Sequence, residues 1–224
     1  MKKILTAFLL LAAGVAAANA QVSLDSPDNR PYFGVRLGLD ITCPGDIGSG
    51  AFKVDLYKPG AGFSAGAVYN IPVWKNLYFE PGLMLYYSTM GLDVDGLNAD
   101  GTYTGLSASV RRFGFRIPFR FGYRFDFADA SVHVFTGPQL EVGLVGRLHA
   151  SYDEGYGKES ESTNIYSDSD FRRTNLAWQF GAGVGFARNW YAELCGAVGM
   201  LDLHSGSAAS YHQSNVTISL GYNF

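Results

Sequence analysis

The sequence predicts an all-β protein, an eight-stranded antiparallel up-and-down transmembrane β-barrel. Three observations predict this fold: a period-two alternation of apolar and polar residues, connections that are alternately long and short, and an unusual composition. Of the 224 residues, 15% are aromatic and 17% are charged, whereas ordinary globular domains carry roughly 25% charged residues. A chain this aromatic and this poor in charge is typical of strands with an apolar outer face.

The first twenty residues have the features of a secretory signal peptide. Lys2 and Lys3 are basic, residues 4–15 are apolar, and residues 18–20 (Ala-Asn-Ala) form a small-residue cleavage site. We therefore expect a signal peptide at 1–20, a short periplasmic segment at 21–30 and the barrel at 31–224. After residue 20 no apolar run is long enough for a transmembrane helix. The formal net charge is −3, so we expect no nucleic-acid partner, which would need a basic surface.

The clearest strand lies at residues 112–125. Its even positions hold four arginines, two glycines and a proline, and its odd positions are aromatic or isoleucine throughout. A strand places these two sets on opposite faces, whereas a helix would scatter both around its cylinder. A barrel in lipid needs an apolar outside and a polar inside. The predicted lipid-facing residues of this strand are Phe113, Phe115, Ile117, Phe119 and Phe121.

Seven further segments show the same alternation, and their lengths suit tilted membrane strands. They are residues 33–41, 62–71, 77–87, 132–144, 176–186, 192–200 and 215–224. The predicted connections are 43–60, 73–76, 91–108, 126–130, 149–172, 187–189 and 203–213. Long and short connections alternate, as external loops and periplasmic turns do in outer-membrane barrels. Trp74, Phe127 and Trp190 fall at the short turns, where an interfacial aromatic girdle is expected.

The inward face of the predicted barrel carries charges of both signs. The four arginines of residues 112–125 are spaced about 13 Å apart along the strand, and inward glutamates on other strands are available as partners. An eight-stranded barrel has room only for its own side chains, so we expect a filled lumen rather than an anion path. Strand pairing predicts Glu80 beside Arg116 or Arg120, and Glu141 beside Arg116. The predicted lumen charge cluster is Arg36, Glu80, Arg112, Arg116, Arg120, Arg124, Glu141 and Glu193.

Oxygen and nitrogen ligands occur in several places but do not form a recognisable metal site. Residues 93–101 are rich in Asp and Asn but lack the final acidic residue of an EF-hand loop. His133 and His149 lie on the inward parity of the fifth strand. His204 and His212 flank the last external loop, near Asp202, without zinc-site spacing. We therefore expect no metal and no cofactor.

Enzyme activity is also not expected from the sequence. Ser151 lies close to His149, and Ser210 lies close to His212, as in the Ser–His pairs of outer-membrane enzymes. Serine is abundant in every external loop, and no third residue that would orient the histidine is recognisable. The acidic residues of the third external loop are expected to be solvated, with a contact to a partner or to lipopolysaccharide as the alternative.

Several short motifs carry a resemblance to a known family. They are residues 79–83 (Phe-Glu-Pro-Gly-Leu), 116–119 (Arg-Ile-Pro-Phe), 181–186 (Gly-Ala-Gly-Val-Gly-Phe), 191–194 (Tyr-Ala-Glu-Leu) and 219–224 (Ser-Leu-Gly-Tyr-Asn-Phe). With these motifs the chain resembles the PorT-like "porin family" of small outer-membrane barrels. The terminal Phe224 resembles the signal that the outer-membrane assembly machinery recognises. The resemblance implies a location in the outer membrane, and its named member takes part in a protein-secretion system.

From these features we expect an integral outer-membrane protein with a structural or interaction role, including assembly or secretion-linked work. The expected partners are outer-membrane lipid and lipopolysaccharide, the assembly machinery during biogenesis, and a protein bound through the external loops. Two alternatives stay open: a narrow passive channel for small solutes, and a lipid-directed enzyme. Conductance would identify a channel, and activity on lipid substrates would identify an enzyme.

Overall fold

The computed structural model describes most of the barrel and part of its external loops. The described residues are 30–45, 47–49, 52–54, 57–92, 104–127, 130–153, 158–167, 171–187, 189–204 and 210–224. The predicted signal peptide and the Asp-rich residues 93–101 lie outside these ranges. No helix among the described residues is long and apolar enough to cross a membrane.

Eight strands form the barrel wall. They are β1 (Tyr32–Pro44), β2 (Gly60–Trp74), β3 (Leu77–Leu92), β4 (Thr104–Asp126), β5 (Ala130–Asp153), β6 (Thr174–Phe186), β7 (Trp190–Gly199) and β8 (Gln213–Asn223). Each strand pairs antiparallel with the next, and β8 returns to β1, where Gly38 lies opposite Ser219. Ring closure satisfies the backbone hydrogen bonds of a sheet that lies in lipid. The prediction of an eight-stranded antiparallel barrel is confirmed.

The alternation of β4 decides which side chains meet lipid. Phe121 is 57% exposed, whereas Arg112 and Arg116 on the other face are 1% and 3% exposed. The same alternation holds on β1, where Leu39 is 71% exposed and Arg36 is 1% exposed. Apolar groups therefore cover the outside of the wall and polar groups fill its inside.

Glycines on the inward face make room for aromatic rings in the lumen. Gly122 lies opposite Tyr78, and a Cβ at this glycine would lie 2.2 Å from Tyr78 Cζ. Gly181 lies opposite Phe135, and a Cβ there would lie 2.5 Å from Phe135 Cζ. These contacts leave no space for a side chain, so the glycines are needed for the interior to be filled by large groups.

Two strands are longer than the sequence predicts. β4 has 23 residues and β5 has 24, whereas a membrane strand needs about 9–11. The predicted loops 91–108 and 149–172 are therefore partly wrong, since the wall continues past the membrane and the strand Lys158–Asn164 pairs with β5. The predicted loop 43–60 likewise contains the pair Ile47–Ser49 and Phe52–Val54, and Tyr57–Lys58 pairs with β3.

A β-bulge changes the parity of the outer part of β5. Phe113 pairs with Val145 but Gly114 pairs with Gly143, so Leu144 is an extra residue. Because a bulge exchanges the two faces of a strand beyond it, His149 pairs with Ser109 on the outward face of β4. The expectation that His149 lies on the inward parity is therefore wrong, while His133, before the bulge, is buried inside.

Candidate functional site

The outer half of the lumen is filled by an ion network that we call the upper cluster, formed by Asp40, Arg112, Arg116 and Glu141. Glu141 accepts at 2.8 Å from Arg112 Nη2 through Oε1 and at 2.8 Å from Arg116 Nε through Oε2. Arg116 Nη1 lies 3.0 Å from Asp40 Oδ1. One carboxylate thus joins two successive arginines of β4, and a second one reaches Arg116 from β1.

The periplasmic half of the lumen contains a lower cluster, formed by Arg36, Glu80, Arg120 and Glu193. Arg120 donates to both oxygens of Glu193, at 2.9 and 3.1 Å, and to Glu80 Oε1 at 3.4 Å. Arg36 Nη2 lies 3.8 Å from Glu80 Oε2, an ion pair without a hydrogen bond. The two-pronged contact of Arg120 with Glu193 is the geometry in which an arginine–carboxylate pair is strongest.

Charge is balanced within the two clusters. They contain four arginines and four carboxylates, and each of these eight residues is at most 7% exposed. A buried charge without a partner is costly, whereas a paired and hydrogen-bonded one is tolerated. Complementary charges therefore make it feasible to fill this interior with polar groups.

Neutral side chains add hydrogen bonds to two of the buried arginines. Arg120 Nε donates to Gln179 Oε1 at 3.1 Å, and Arg112 donates to Gln213 Oε1. Aromatic rings cover guanidinium faces as well. The distances from Cζ to the ring centroid are 4.5 Å for Arg36 over Tyr191, 4.4 Å for Arg116 over Tyr86 and 4.5 Å for Arg120 over Phe135.

The structure places the predicted lumen residues as follows. Glu141 lies beside Arg116, and Glu80 lies beside Arg120 and Arg36 rather than beside Arg116. Arg124 lies apart from both clusters. It is near the periplasmic turn, where its Nε lies 2.8 Å from Asp126 Oδ1. It borders a cavity of about 10 Å³ at this mouth, which Tyr78 and His133 also line.

Asp40 is the charged residue of the upper cluster that the sequence reasoning missed. It lies on the inward parity of the first strand, so its inward position was readable from the alternation. Its partner Arg116 lies on β4, which is not a neighbour of β1 in the sheet. Contacts across a barrel lumen depend on closure and tilt, and strand-by-strand reasoning does not supply these.

Apolar and aromatic residues form an external cap above the upper cluster. The cap consists of Tyr57, Met90, Val110, Ile165, Tyr166, Phe171, Leu203 and Tyr211. Leu203 is fully buried and Tyr211 is 2% exposed. The cap rests directly on the network, since Arg112 Nε donates to Tyr166 Oη at 3.1 Å and its guanidinium lies 5.4 Å from the Phe171 ring.

Asp202 organises the loop that carries His204 and His212. Its Oδ1 accepts from the backbone N–H groups of His204 and Tyr211, both at 2.9 Å. Burial acts to raise the pKa of Asp202, but these two hydrogen bonds, together with the charges of His212 and Arg172, outweigh it and hold the pKa below its usual value. His212 Nδ1 lies 3.2 Å from the carbonyl oxygen of Leu201. Within the described residues no group of three metal-ligating side chains comes together.

The predicted lipid-facing residues of β4 are on the outer face. Phe113, Phe119 and Phe121 are 39%, 38% and 57% exposed, and Phe115 and Ile117 are half-buried between neighbouring strands. Phe224 lies at the seam between the first and last strands, where its backbone N–H donates to the Phe33 carbonyl at 2.8 Å.

This barrel matches a known family. The model of the family described as "Outer membrane protein beta-barrel domain" matches residues 19–205. The chain belongs to this family. Membership identifies it as an outer-membrane β-barrel protein, and the family description states no enzymatic activity. Among curated proteins, none matches the chain.

Solved structures of small outer-membrane barrels are similar at low sequence identity. The attachment invasion locus protein Ail of Yersinia pestis has 13% identity and a TM-score of 0.44, covering 87% of this chain and 99% of Ail. OprG of Pseudomonas aeruginosa has 6% identity and a TM-score of 0.45, with 88% and 97% covered. Neisserial surface protein A has 13% identity and a TM-score of 0.39, with 86% and 97% covered. At these values the similarity carries no information on activity.

Proposed function

We propose that this protein is a closed, non-conducting and non-enzymatic outer-membrane barrel with a structural or interaction role. The observation that carries the proposal is the charge-balanced network of the upper and lower clusters. Each of the four buried arginines lies within 4 Å of a carboxylate oxygen of the same network. A conducting pore needs charges that face water, whereas these charges face one another.

The external cap supports the same function. Its rings and aliphatic side chains lie between the upper cluster and the external side, and Tyr211 Oη contacts Met90 Sδ at 3.7 Å. A small solute would have to displace both the apolar cap and the ion pairs beneath it. The outer surface is then the part of the molecule that is accessible to partners.

The partners that we propose follow from this position in the membrane. They are outer-membrane lipid and lipopolysaccharide around the wall, the assembly machinery acting on Phe224 during biogenesis, and a protein bound through the external loops. The PorT-like resemblance of the sequence motifs favours secretion-linked or assembly work among interaction roles. We also propose that residues 1–20 are removed on export.

A solute-uptake assay tests the closed barrel. The purified protein is reconstituted into liposomes, and swelling is followed after dilution into small neutral and anionic solutes. We expect swelling no faster than that of protein-free liposomes. Uptake that rises with the amount of protein would overturn the proposal in favour of a passive channel. Release of fatty acid from the liposome lipids, lost in His149→Ala or His212→Ala, would overturn it in favour of a lipid-directed enzyme.

A further inference from the structure

Two arginines face each other on the outside of the barrel. Arg111 on β4 and Arg147 on β5 are direct cross-strand partners, and both are exposed. Their chain neighbours Val110, Arg112 and Gly146 are buried, so this pair belongs to the outward face. The bulge at Leu144 is responsible, because without its change of parity Arg147 would fall on the inward face.

The pair lies immediately beyond the apolar band. The preceding outward residues on the two strands are Phe113 and Val145, which are 39% and 45% exposed. Two residues of strand advance the chain by about 7 Å. The two guanidinium groups therefore leave the wall at the external end of its lipid-facing surface, at the depth of lipid headgroups.

No carboxylate of the described residues neutralises this pair. The cross-strand row continues with Thr89 on one side and Asn164 on the other, so it contains two cations and two neutral residues. Neither arginine forms an ion pair in the described part of the chain. Glu161 and Glu159 pair with Ala150 and Tyr152. These two positions are an odd number of residues from Arg147, so they belong to the opposite face of the strand.

Like charges placed directly opposite one another destabilise a sheet, and an anion between them removes the repulsion. Arginine forks bind phosphate with paired hydrogen bonds. His149, the next outward residue of β5, adds a further ring nitrogen beside the pair. Resting on the lipopolysaccharide contact of the proposed function, we propose that Arg111 and Arg147, with His149, bind a phosphate group of the anionic glycolipid in the external leaflet.

The chemistry of the surroundings favours a lipid over a soluble anion or a protein. The apolar residues Phe113 and Val145 directly below the pair contact acyl chains when the headgroup is bound above them. The chain as a whole has a formal net charge of −3, so the pair is a local cationic site on an acidic protein. Its position at the membrane boundary brings the anionic lipid to it without any further docking surface.

The test measures lipid binding by the detergent-solubilised full chain. Bisphosphorylated lipid A and its dephosphorylated form are titrated in mixed micelles, and binding is followed by the shift in the unfolding temperature. We expect the phosphorylated form to bind at least tenfold more tightly. The Arg111→Gln, Arg147→Gln double variant should lose this preference. The matched control Lys75→Asn removes an exposed cation from the periplasmic turn, where the backbone φ is 49°, and should keep it.

Several results would overturn the proposal. Equal binding of the two lipids by the wild type would mean that phosphate is not recognised. An unchanged preference in the double variant would place the phosphate elsewhere. Complete competition by inorganic phosphate at the lipid's concentration would identify a soluble anion as the ligand. If the double variant does not fold, Arg111→Lys, Arg147→Lys keeps the charge and should weaken binding through the lost fork geometry, and unchanged affinity there would also contradict the proposal.

Discussion

Arg116 and Glu141 are direct cross-strand partners on β4 and β5, and Arg116 Nε donates to Glu141 Oε2 at 2.8 Å. The second oxygen of the same carboxylate binds Arg112. Glu141 thus binds two arginines that lie one above the other on a single strand, and Asp40 supplies the second negative charge. The stability of the barrel therefore depends on the ion pairs that fill its lumen.

The first prediction concerns the loss of this carboxylate. Glu141→Gln leaves Arg112 without a carboxylate partner and Arg116 with Asp40 alone. Removing one partner of a buried ion pair costs about 3–5 kcal/mol, and we expect the free energy of unfolding to fall by that amount. Urea unfolding of the detergent-solubilised protein, followed by the heat-modifiable gel shift, measures it.

Asp126→Asn is the matched control for that variant. Asp126 also binds an arginine, Arg124, but its side chain is 44% exposed. Exposed pairs contribute about 0–1 kcal/mol, so this variant should unfold almost like the wild type. Equal losses in the two variants would contradict a dry, charge-balanced interior.

The second prediction concerns the lipid face of β4. Phe119→Arg places a charge near the middle of the apolar band and should lower the free energy of unfolding by about 2–4 kcal/mol. Ser107→Arg, exposed on the same face but beyond the band, should cost less than about 1 kcal/mol. Unfolding in lipid vesicles compares them, and equal tolerance would show that the assigned depth or face is wrong.

Gln179→Arg, on the inward face of β6, is not a mild control for Phe119→Arg. Gln179 is fully buried and its Oε1 accepts from Arg120 Nε at 3.1 Å. An arginine here would bring a fifth positive charge into the balanced interior. We expect this variant to be destabilised at least as strongly as Phe119→Arg in the same unfolding assay.

The third prediction concerns acid. The pKa of Asp202 lies below its ordinary value of 3.8 in the folded loop. A depressed folded pKa contributes stability above the unfolded pKa, and this contribution is lost as the pH falls through the folded pKa. Amide hydrogen exchange at His204 and Tyr211, corrected for the intrinsic rate, should therefore accelerate as the pH falls through the folded pKa of Asp202.

Asp202→Asn is the control for the acid effect. Its amide oxygen can still accept from the two backbone N–H groups but does not titrate. Exchange at the two amides should then show no acid-induced step. The same step in both proteins would mean that another group opens the loop.

The strand pattern was predictable because lipid on one side and a polar interior on the other impose a strict period of two. The run from Phe113 to Phe125 shows this, and the pairing of Arg116 with Glu141 follows from folding about the predicted short connection at 126–130. Beyond the membrane this constraint disappears, so the extension of β5 to Asp153 was not readable from the alternation. The bulge at Leu144 lies within the apolar band, where two successive residues, Leu144 and Val145, both face outward. Two adjacent apolar residues do not show in the sequence which of them is the extra one.

The cross-lumen contacts needed the closed barrel. Asp40 with Arg116 and Arg36 with Glu80 join strands that are not neighbours in the sheet. Their meeting depends on the tilt of the strands and on the room left by glycines such as Gly122. The pairing of Arg111 with Arg147 was not predictable from the sequence either, because the bulge reverses the parity of Arg147.

Planar-bilayer recording beside thermal unfolding tests the filled lumen most directly. The wild type is compared with the Glu80→Gln, Glu141→Gln double variant, which removes one carboxylate from each cluster. We predict no stable conductance for the wild type, and a lowered melting temperature for the double variant because the buried Arg36 and Arg112 lose their carboxylate partners. A stable wild-type conductance whose anion preference rises in the double variant, with melting unchanged, would contradict the account.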